Sequence, residues 1–436
     1  MTQPTAASPE RAVLNTGAAL AIRRLAARHE TLALVDQGVV SLKNFLASII
    51  IARACTREQF GLYVLGLTIV ALLIDLQASL ISTPYTVYGP RLEGHDHARY
   101  TGSTFIHQMV LALIAIVALL SASGVLALTR ARATGVVTVL MVLAVILAAP
   151  LMQDYLRRLS FAVLELKSAV IADIAVACVQ VGMLATIATR ARITPTTAYG
   201  VLALASLVGV LSWRAASRVR FHFSSAHAAA DLRLALRSGK WILTSGVLWT
   251  LGMNLYPWLL ASFHGTAATA TWAACFAAAA FAGPVITGIG NVVGPRLSVA
   301  LATGGTTALR RATLSSTYLI GGAMLPFVIG AALFGSRVVA LAYGDKYAGS
   351  GAVVLLLIAN SFFVDVGLPY SRGLFALERA DLDVLANVIA LAVTVSAGIW
   401  LVSSFGVTGA ALGLAVGGLA ACVVRVLLFT RFVRTV

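Results

Sequence analysis

Apolar runs of about 20 residues recur from one end of the chain to the other, separated by short stretches rich in arginine, glycine and proline. Measured against the roughly 20 residues a helix needs to cross a bilayer, these runs predict twelve spans. They lie near 35–53, 60–82, 103–128, 135–153, 168–188, 199–213, 241–263, 271–293, 313–334, 351–370, 384–404 and 409–430. Inside the runs the polar residues are not scattered. Gln37, Ser41, Asn44 and Ser48 share one helical face of the first span, with Asp36 and Lys43 at its edge, and Thr68, Asp75, Ser79 and Ser82 share a face of the second. A lipid-facing helix would not carry such stripes.

Composition agrees with the pattern. The 436 residues are 59% hydrophobic and 11% charged, with mean hydropathy +0.92, too little polar surface for a soluble domain. The fold class expected is all-α: a polytopic membrane protein of twelve transmembrane helices in two pseudo-symmetric six-helix lobes around a central cavity. The two lobes are suggested by an internal echo. VYGPRL at 87–92, after the second span, returns as VVGPRL at 292–297, after the eighth. Six spans per half give both halves one orientation, related by an axis along the membrane normal. The division is then a tail at 1–34, lying as an interfacial helix, an N-lobe at 35–213, a basic linker at 214–240 and a C-lobe at 241–436.

Charge sets the orientation. With the N-terminus inside, about two thirds of the 32 Lys and Arg fall in cytoplasmic tails and loops, Arg157, Arg158, Arg214, Arg218 and Arg220 among them. Both termini are then cytoplasmic, and the net charge of +16 reflects this asymmetry together with attraction to anionic membrane lipid, so no nucleic acid partner is required.

Several chemistries are disfavoured. Cys55, Cys178, Cys275 and Cys422 have no metal-ligand or redox spacing, and His95 and His97 lack a carboxylate pair to complete a zinc set. No GxxxxGK[ST] loop and no nucleophile–base constellation stands out, and the outer loops are short, so neither an ATP-driven pump nor an enzyme is expected, and no catalytic or metal residues or cofactor are assigned. What remains is the intramembrane polar set. Lys43 and Asp75 lie about 12 and 10 Å from the cytoplasmic end at 1.5 Å per residue, which makes an ion pair between them geometrically feasible. Asp173, Asn360, Asp365, Asn387 and Arg425 sit in the same half of their spans, although Asp154, Asp365 and Arg425 are near enough to an interface to snorkel or to pair with loop arginines.

NFLASIIIARACTREQFGLYVLGLTIVALL (44–73), YGDKYAGS (343–350) and FGVTGAALGLAVG (405–417) resemble the polysaccharide-transporter branch of the multidrug/oligosaccharidyl-lipid/polysaccharide flippase superfamily, the O-antigen flippase type. GPRL after the second and eighth spans is similar to that superfamily's habit of ending these helices at a proline-arginine turn. The resemblance implies a flippase of the bacterial cytoplasmic membrane that moves a polyprenyl-diphosphate-linked oligosaccharide by alternating access, coupled to H+ or Na+ and working beside a polysaccharide polymerase or other export proteins. Under it, Lys43 with its neighbour Asn44, and behind them Arg53, Asn254 and Arg425, would meet the substrate, while Asp75, Asp173 and Asp365 would couple the ion. MNLYPWLLASFHG (253–265) lacks the acid many relatives carry there; Asn254, Tyr256, Trp258 and His264 would line the sugar path instead. An ion-coupled drug or metabolite antiporter of the same superfamily stands second, and a polytopic glycan polymerase or transferase third. A cation exporter would want an acid-lined cavity, whereas a diphosphate favours a lysine in it.

Overall fold

In hydrocarbon every backbone N–H and C=O must be satisfied within its own segment, and this chain meets that condition with helices. The computed structural model describes residues 9–129 and 134–435. Within these, the side chains of residues 9–30, 134, 225, 234, 237–251, 253, 284, 285, 291, 434 and 435 lie outside the description. Among the described residues all regular structure is helical: α1 Pro9–Ala54, α2 Arg57–Gln77, α3 Thr83–Tyr88, α4 Gly94–Leu128, α5 Thr134–Ile146, α6 Ala148–Ala162, α7 Leu166–Arg190, α8 Pro195–Ala216, α9 Ser225–His264, α10 Thr266–Ala279, α11 Gly283–Tyr343, α12 Gly351–Ala376 and α13 Ala380–Thr435. Helix starts follow local chemistry. Thr56 and Gln59 form a capping box at the head of α2; Thr194 and Thr197 do the same for α8, with Pro195 in its first turn.

The all-α, multi-pass expectation is met; the count of twelve is not established. By length and apolarity, eight helices among the described residues can cross a membrane, or nine if the bent pair α5 and α6, which meet at 52°, forms one span. The difference has identifiable places. The 61 residues of α11 and the 56 of α13 would each run for some 80–90 Å against a hydrocarbon core of about 30 Å. Each is broken at glycine: Gly305 has φ 64° and Gly406 has φ 56°, conformations that a side chain strains. Both breaks fall between predicted spans. The helix of the fourth span continues to Ala162 rather than ending near 153.

Other expectations need correcting. VYGPRL does end in a turn, the short 3-10 helix Gly89–Arg91, but in VVGPRL Pro295 lies inside α11, which continues to its break at Gly304 and Gly305. The tail expected at 1–34 falls partly outside the described residues; from Pro9 onward its backbone is continuous with the first span in α1. Of the expected linker 214–240, the non-helical stretch is 217–224.

Packing places the polar spans together. α1 lies along α7 and α7 along α8, while α9 lies along the first limb of α13, where the Tyr256 hydroxyl donates to the Thr394 carbonyl at 3.1 Å. The halves meet mainly where α2 packs on α9 and α10. The connections 92–93, 163–165 and 217–224 gather at one membrane face, called here the first. The connections 55–56, 265 and 344–350 gather at the second, since Lys346 bonds the Cys55 carbonyl and Gly61 abuts Thr266.

Candidate functional site

Helix α6 carries QDYLRR, which places Gln153 with Arg157 and Asp154 with Arg158 at i and i+4. Beyond the 52° bend at Leu147 this segment packs on α8 and α7, and the long Arg157 side chain reaches from it to α1. Arg157 there bridges two acids. Its guanidinium donates to Asp36 Oδ2 of α1 through Nη2 at 2.5 Å and Nε at 3.1 Å, and to Asp173 Oδ2 of α7 through Nε at 2.8 Å. Gln153 Nε2 donates to the second oxygen of Asp173 at 2.7 Å. Asp36 is 0% exposed, Asp173 2% and Arg157 21%. Beside this triad Asp154 accepts from Arg158 Nε at 2.6 Å and from Gln77 Nε2 at 3.1 Å. Gln77 is the last residue of α2 before a π-helical turn, Ala78–Ser82, a local underwinding that often marks functional positions in helices.

Lys43 belongs to this neighbourhood. It is half-buried and within electrostatic reach of Asp173, Arg157 and Asp154. The pairing of Lys43 with Asp75 expected from equal depth is not formed: six ion pairs occur among the described residues, and Lys43 is in none. Asp36, Asp154 and Asp173 are therefore matched by Arg157 and Arg158 with Lys43 held a step away, so the lysine keeps its hydrogen-bonding capacity. Sequence reasoning put Arg157 in a loop and Asp36 at the edge of a stripe. The signal that could have found them is the Gln–Asp–x–x–Arg–Arg spacing facing two spans that each hold an acid.

The remaining candidates are dispersed. Asn44, like Gln37 and Ser41, is exposed on α1, so the stripe does face away from packed helices. Asp365 is half-buried on α12, and Asp75 and Asn254 are half-buried on α2 and α9, both with interacting partners. Arg425 is engaged within the C-terminal half, donating to Asp383 Oδ1 at 2.9 Å and to Asn387 Oδ1 at 2.8 Å. Tyr256 is fully buried, Trp258 donates to Thr68 Oγ1 at 2.8 Å and the exposed His264 bonds the Val402 carbonyl at 2.6 Å, so each of the three ties neighbouring helices together.

Arg53 lies at the second face, about 15 Å beyond Lys43 along α1, and crosses to the other half. Its guanidinium donates to the Ala342 carbonyl at 2.8 Å and to that of Leu341, near the C-terminal end of α11. Lys346, just past that end, returns the bond to the Cys55 carbonyl, at the end of α1, at 2.5 Å. Each cation thus meets the negative end of the other's helix. Arg57 donates to Thr271 Oγ1 at 2.7 Å, and Phe45, about two turns deeper than Arg53 along α1, packs edge-on against Phe281 at 4.8 Å. Gly61 approaches so closely that a Cβ there would lie 1.8 Å from the Thr266 carbonyl oxygen. The two halves are closed on each other from Phe45 to this face.

Solved structures share this helical membrane fold. The chain is similar to an inward-facing multidrug resistance MATE family transporter of the MOP superfamily, with TM-score 0.73, 15% identity and coverage of 92% of this chain and 98% of that one. It is similar to the lipid II flippase MurJ in an inward closed conformation, with TM-score 0.70, 13% identity and coverage of 92% and 87%. Likeness to an outward-facing MATE family transporter gives TM-score 0.61 at 15% identity, over 94% and 96%. No curated protein matches in sequence. The sequence profile of the polysaccharide biosynthesis protein family matches residues 31–300, and the chain belongs to that family.

Proposed function

We propose that this protein is a flippase that carries a polyprenyl-diphosphate-linked oligosaccharide across the bacterial cytoplasmic membrane, with the first face cytoplasmic. The observation that carries the reading is Lys43. It stands near the membrane midplane, beside a cluster whose other cations are already bonded to acids, just below the Phe45–Phe281 contact. A diphosphate entering from the first face would gain a charge-assisted bond from this ammonium, with Asn44, Ser41 and Gln37 on the same helix to meet sugar hydroxyls. The lipid tail would stay in the bilayer. Family membership in polysaccharide biosynthesis supports a lipid-linked glycan over a drug, whereas the fold is shared with a lipid II flippase and a multidrug transporter alike.

The contacts between Arg53, Lys346, Arg57 and Gly61 and their partners, and the higher similarity to an inward-facing than to an outward-facing relative, support an inward-open state here. Transport would then require these contacts to part while the first face closes. Asp36 and Asp173 share one guanidinium, so a proton taken by Asp173 would release one limb of Arg157 and alter the field at Lys43. In this reading coupling is to H+, with Asp75 of α2 and Asp365 of α12 as further acids, one in each half of the molecule.

The test is export of the surface glycan in cells carrying Lys43→Ala and Lys43→Arg. The alanine variant abolishes export and the arginine variant keeps part of it; normal export with Lys43→Ala, at equal protein level, would sink the head-group role. An ion-coupled antiporter of the same superfamily is the second reading, favoured by the buried Asp36 and Asp173 pair. It requires cation efflux to depend on those acids while lipid-linked glycan levels stay normal.

A further inference from the structure

The connection 217–224 takes no part in the Asp36–Arg157–Asp173 cluster or in the contacts at the second face. It runs extended and alternates: Ser217, Val219 and Phe221 turn inward, while Arg218, Arg220 and His222 are exposed. The inward side is tied down. Ser217 Oγ donates to Glu165 Oε2 at 2.8 Å and the Arg218 N–H to the same oxygen at 3.2 Å. The His222 N–H donates to the Ala98 carbonyl at 2.9 Å, and Phe221 packs edge-on against Phe105 at 5.5 Å and Trp213 at 6.2 Å. At Gly102 a Cβ would lie 2.1 Å from the His222 carbonyl oxygen, so the strap rests directly on α4. A segment held this way cannot fold its outward cations back.

Around those cations stand others. Arg214 in the last turn of α8 and Lys167 in the first turn of α7 are exposed. Among the described residues no ion pair engages Lys167, Arg214, Arg218 or Arg220, and the nearby acids are taken: Glu165 by the strap itself, Asp96 by Arg99 at 3.7 Å. Two large apolar side chains are exposed beside them, Leu164 at 62% on a turn with φ 59° and Phe223 at 58%, the latter resting one side of its ring on Phe105 at 5.6 Å and Phe221 at 6.2 Å. Four unpaired cations with two exposed apolar groups, at the level where spans leave the hydrocarbon, complement a headgroup phosphate with acyl chain beneath it.

We propose that the strap between α8 and α9 is a docking surface for anionic phospholipid, with Arg218 and Arg220 holding the headgroup phosphate and Leu164 and Phe223 set into the acyl boundary. The assignment to the cytoplasmic leaflet rests on the orientation proposed above; the binding itself does not.

The test uses the purified full-length protein in detergent, titrated with phosphatidylglycerol or phosphatidylcholine and read by native mass spectrometry. The wild type retains phosphatidylglycerol over phosphatidylcholine. Arg218→Gln with Arg220→Gln weakens phosphatidylglycerol binding by about fivefold for each charge removed. Arg190→Gln with Arg192→Gln, equal in charge but at the opposite face, leaves it unchanged. Equal losses in both double variants, or no loss in either, would overturn the proposal. Displacement of the lipid by inorganic phosphate at low excess would overturn the choice of lipid by showing a free-phosphate site. Should the first double variant fail to fold, Arg220→Gln alone serves, because its side chain makes no hydrogen bond or ion pair among the described residues; it is expected to lose about fivefold, and an unchanged affinity would count against the site.

Discussion

The bonds from Arg53 and Lys346 can be tested with a reporter the protein already holds. Cys55 lies beneath them, its Sγ donating to the Ile51 carbonyl at 2.8 Å and its own carbonyl accepting from Lys346. Burial pushes its thiol up from an ordinary 9.0 to about 11. Only about one molecule in ten thousand is thiolate at pH 7, against about one in a hundred when exposed, and the thiolate is the nucleophile. Labelling by a membrane-impermeant maleimide therefore proceeds through opening of the second face. Charged hydrogen bonds contribute about 1.5–3 kcal/mol each, but Arg53 is exposed, and solvent competition brings each residue to about 1 kcal/mol. Arg53→Gln with Lys346→Gln should then raise the opened population by about 2 kcal/mol, or some thirtyfold. The assay follows maleimide labelling of Cys55 with Cys178, Cys275 and Cys422 replaced by alanine. Labelling through opening should level off near pH 9, and direct attack on the buried thiol near pH 11. An unchanged rate in the double variant would refute the idea that these bonds hold the face closed.

Gly61→Ala should act on the same equilibrium by steric means, since its Cβ meets the Thr266 backbone, and should speed Cys55 labelling; a slower rate would contradict this. Arg157→Met leaves Asp36 and Asp173 buried without their cation and should cost about 3–5 kcal/mol of stability, seen as a lower melting temperature that Asp36→Asn with Asp173→Asn partly restores. Gly406→Ala forces a side chain into φ 56°, ψ −129° and should cost about 1–3 kcal/mol, measured by the same thermal melt.

Much of the architecture was legible because membrane spans are written in apolar length. Both glycine breaks, at Gly305 and Gly406, fall in gaps that the hydropathy pattern left between spans. The interior charges were harder to place. Depth along a helix can be counted, so Lys43 and Asp75 came out level, but rotation and neighbour identity cannot, and Lys43 turned toward α6 and α7. Arg157 looked like a loop residue because the apolar run stops near 153, whereas the helix continues to Ala162 behind a bend. Arg425 was read by its charge alone; its partners Asp383 and Asn387 lie 42 and 38 residues away in sequence. Arg53 was foreseen at the end of the first span, but its reach to carbonyls 288 and 289 residues distant depends on tertiary packing.

The most direct measurement is made on a strain lacking this gene: mass spectrometry of polyprenyl-diphosphate-linked sugars, with glycosidase access compared in intact spheroplasts and lysed cells. A flippase predicts completed oligosaccharide that accumulates and is cleaved only after lysis. Normal levels with normal access from outside would contradict it and favour the antiporter, and single repeat units already facing outward would point to a polymerase.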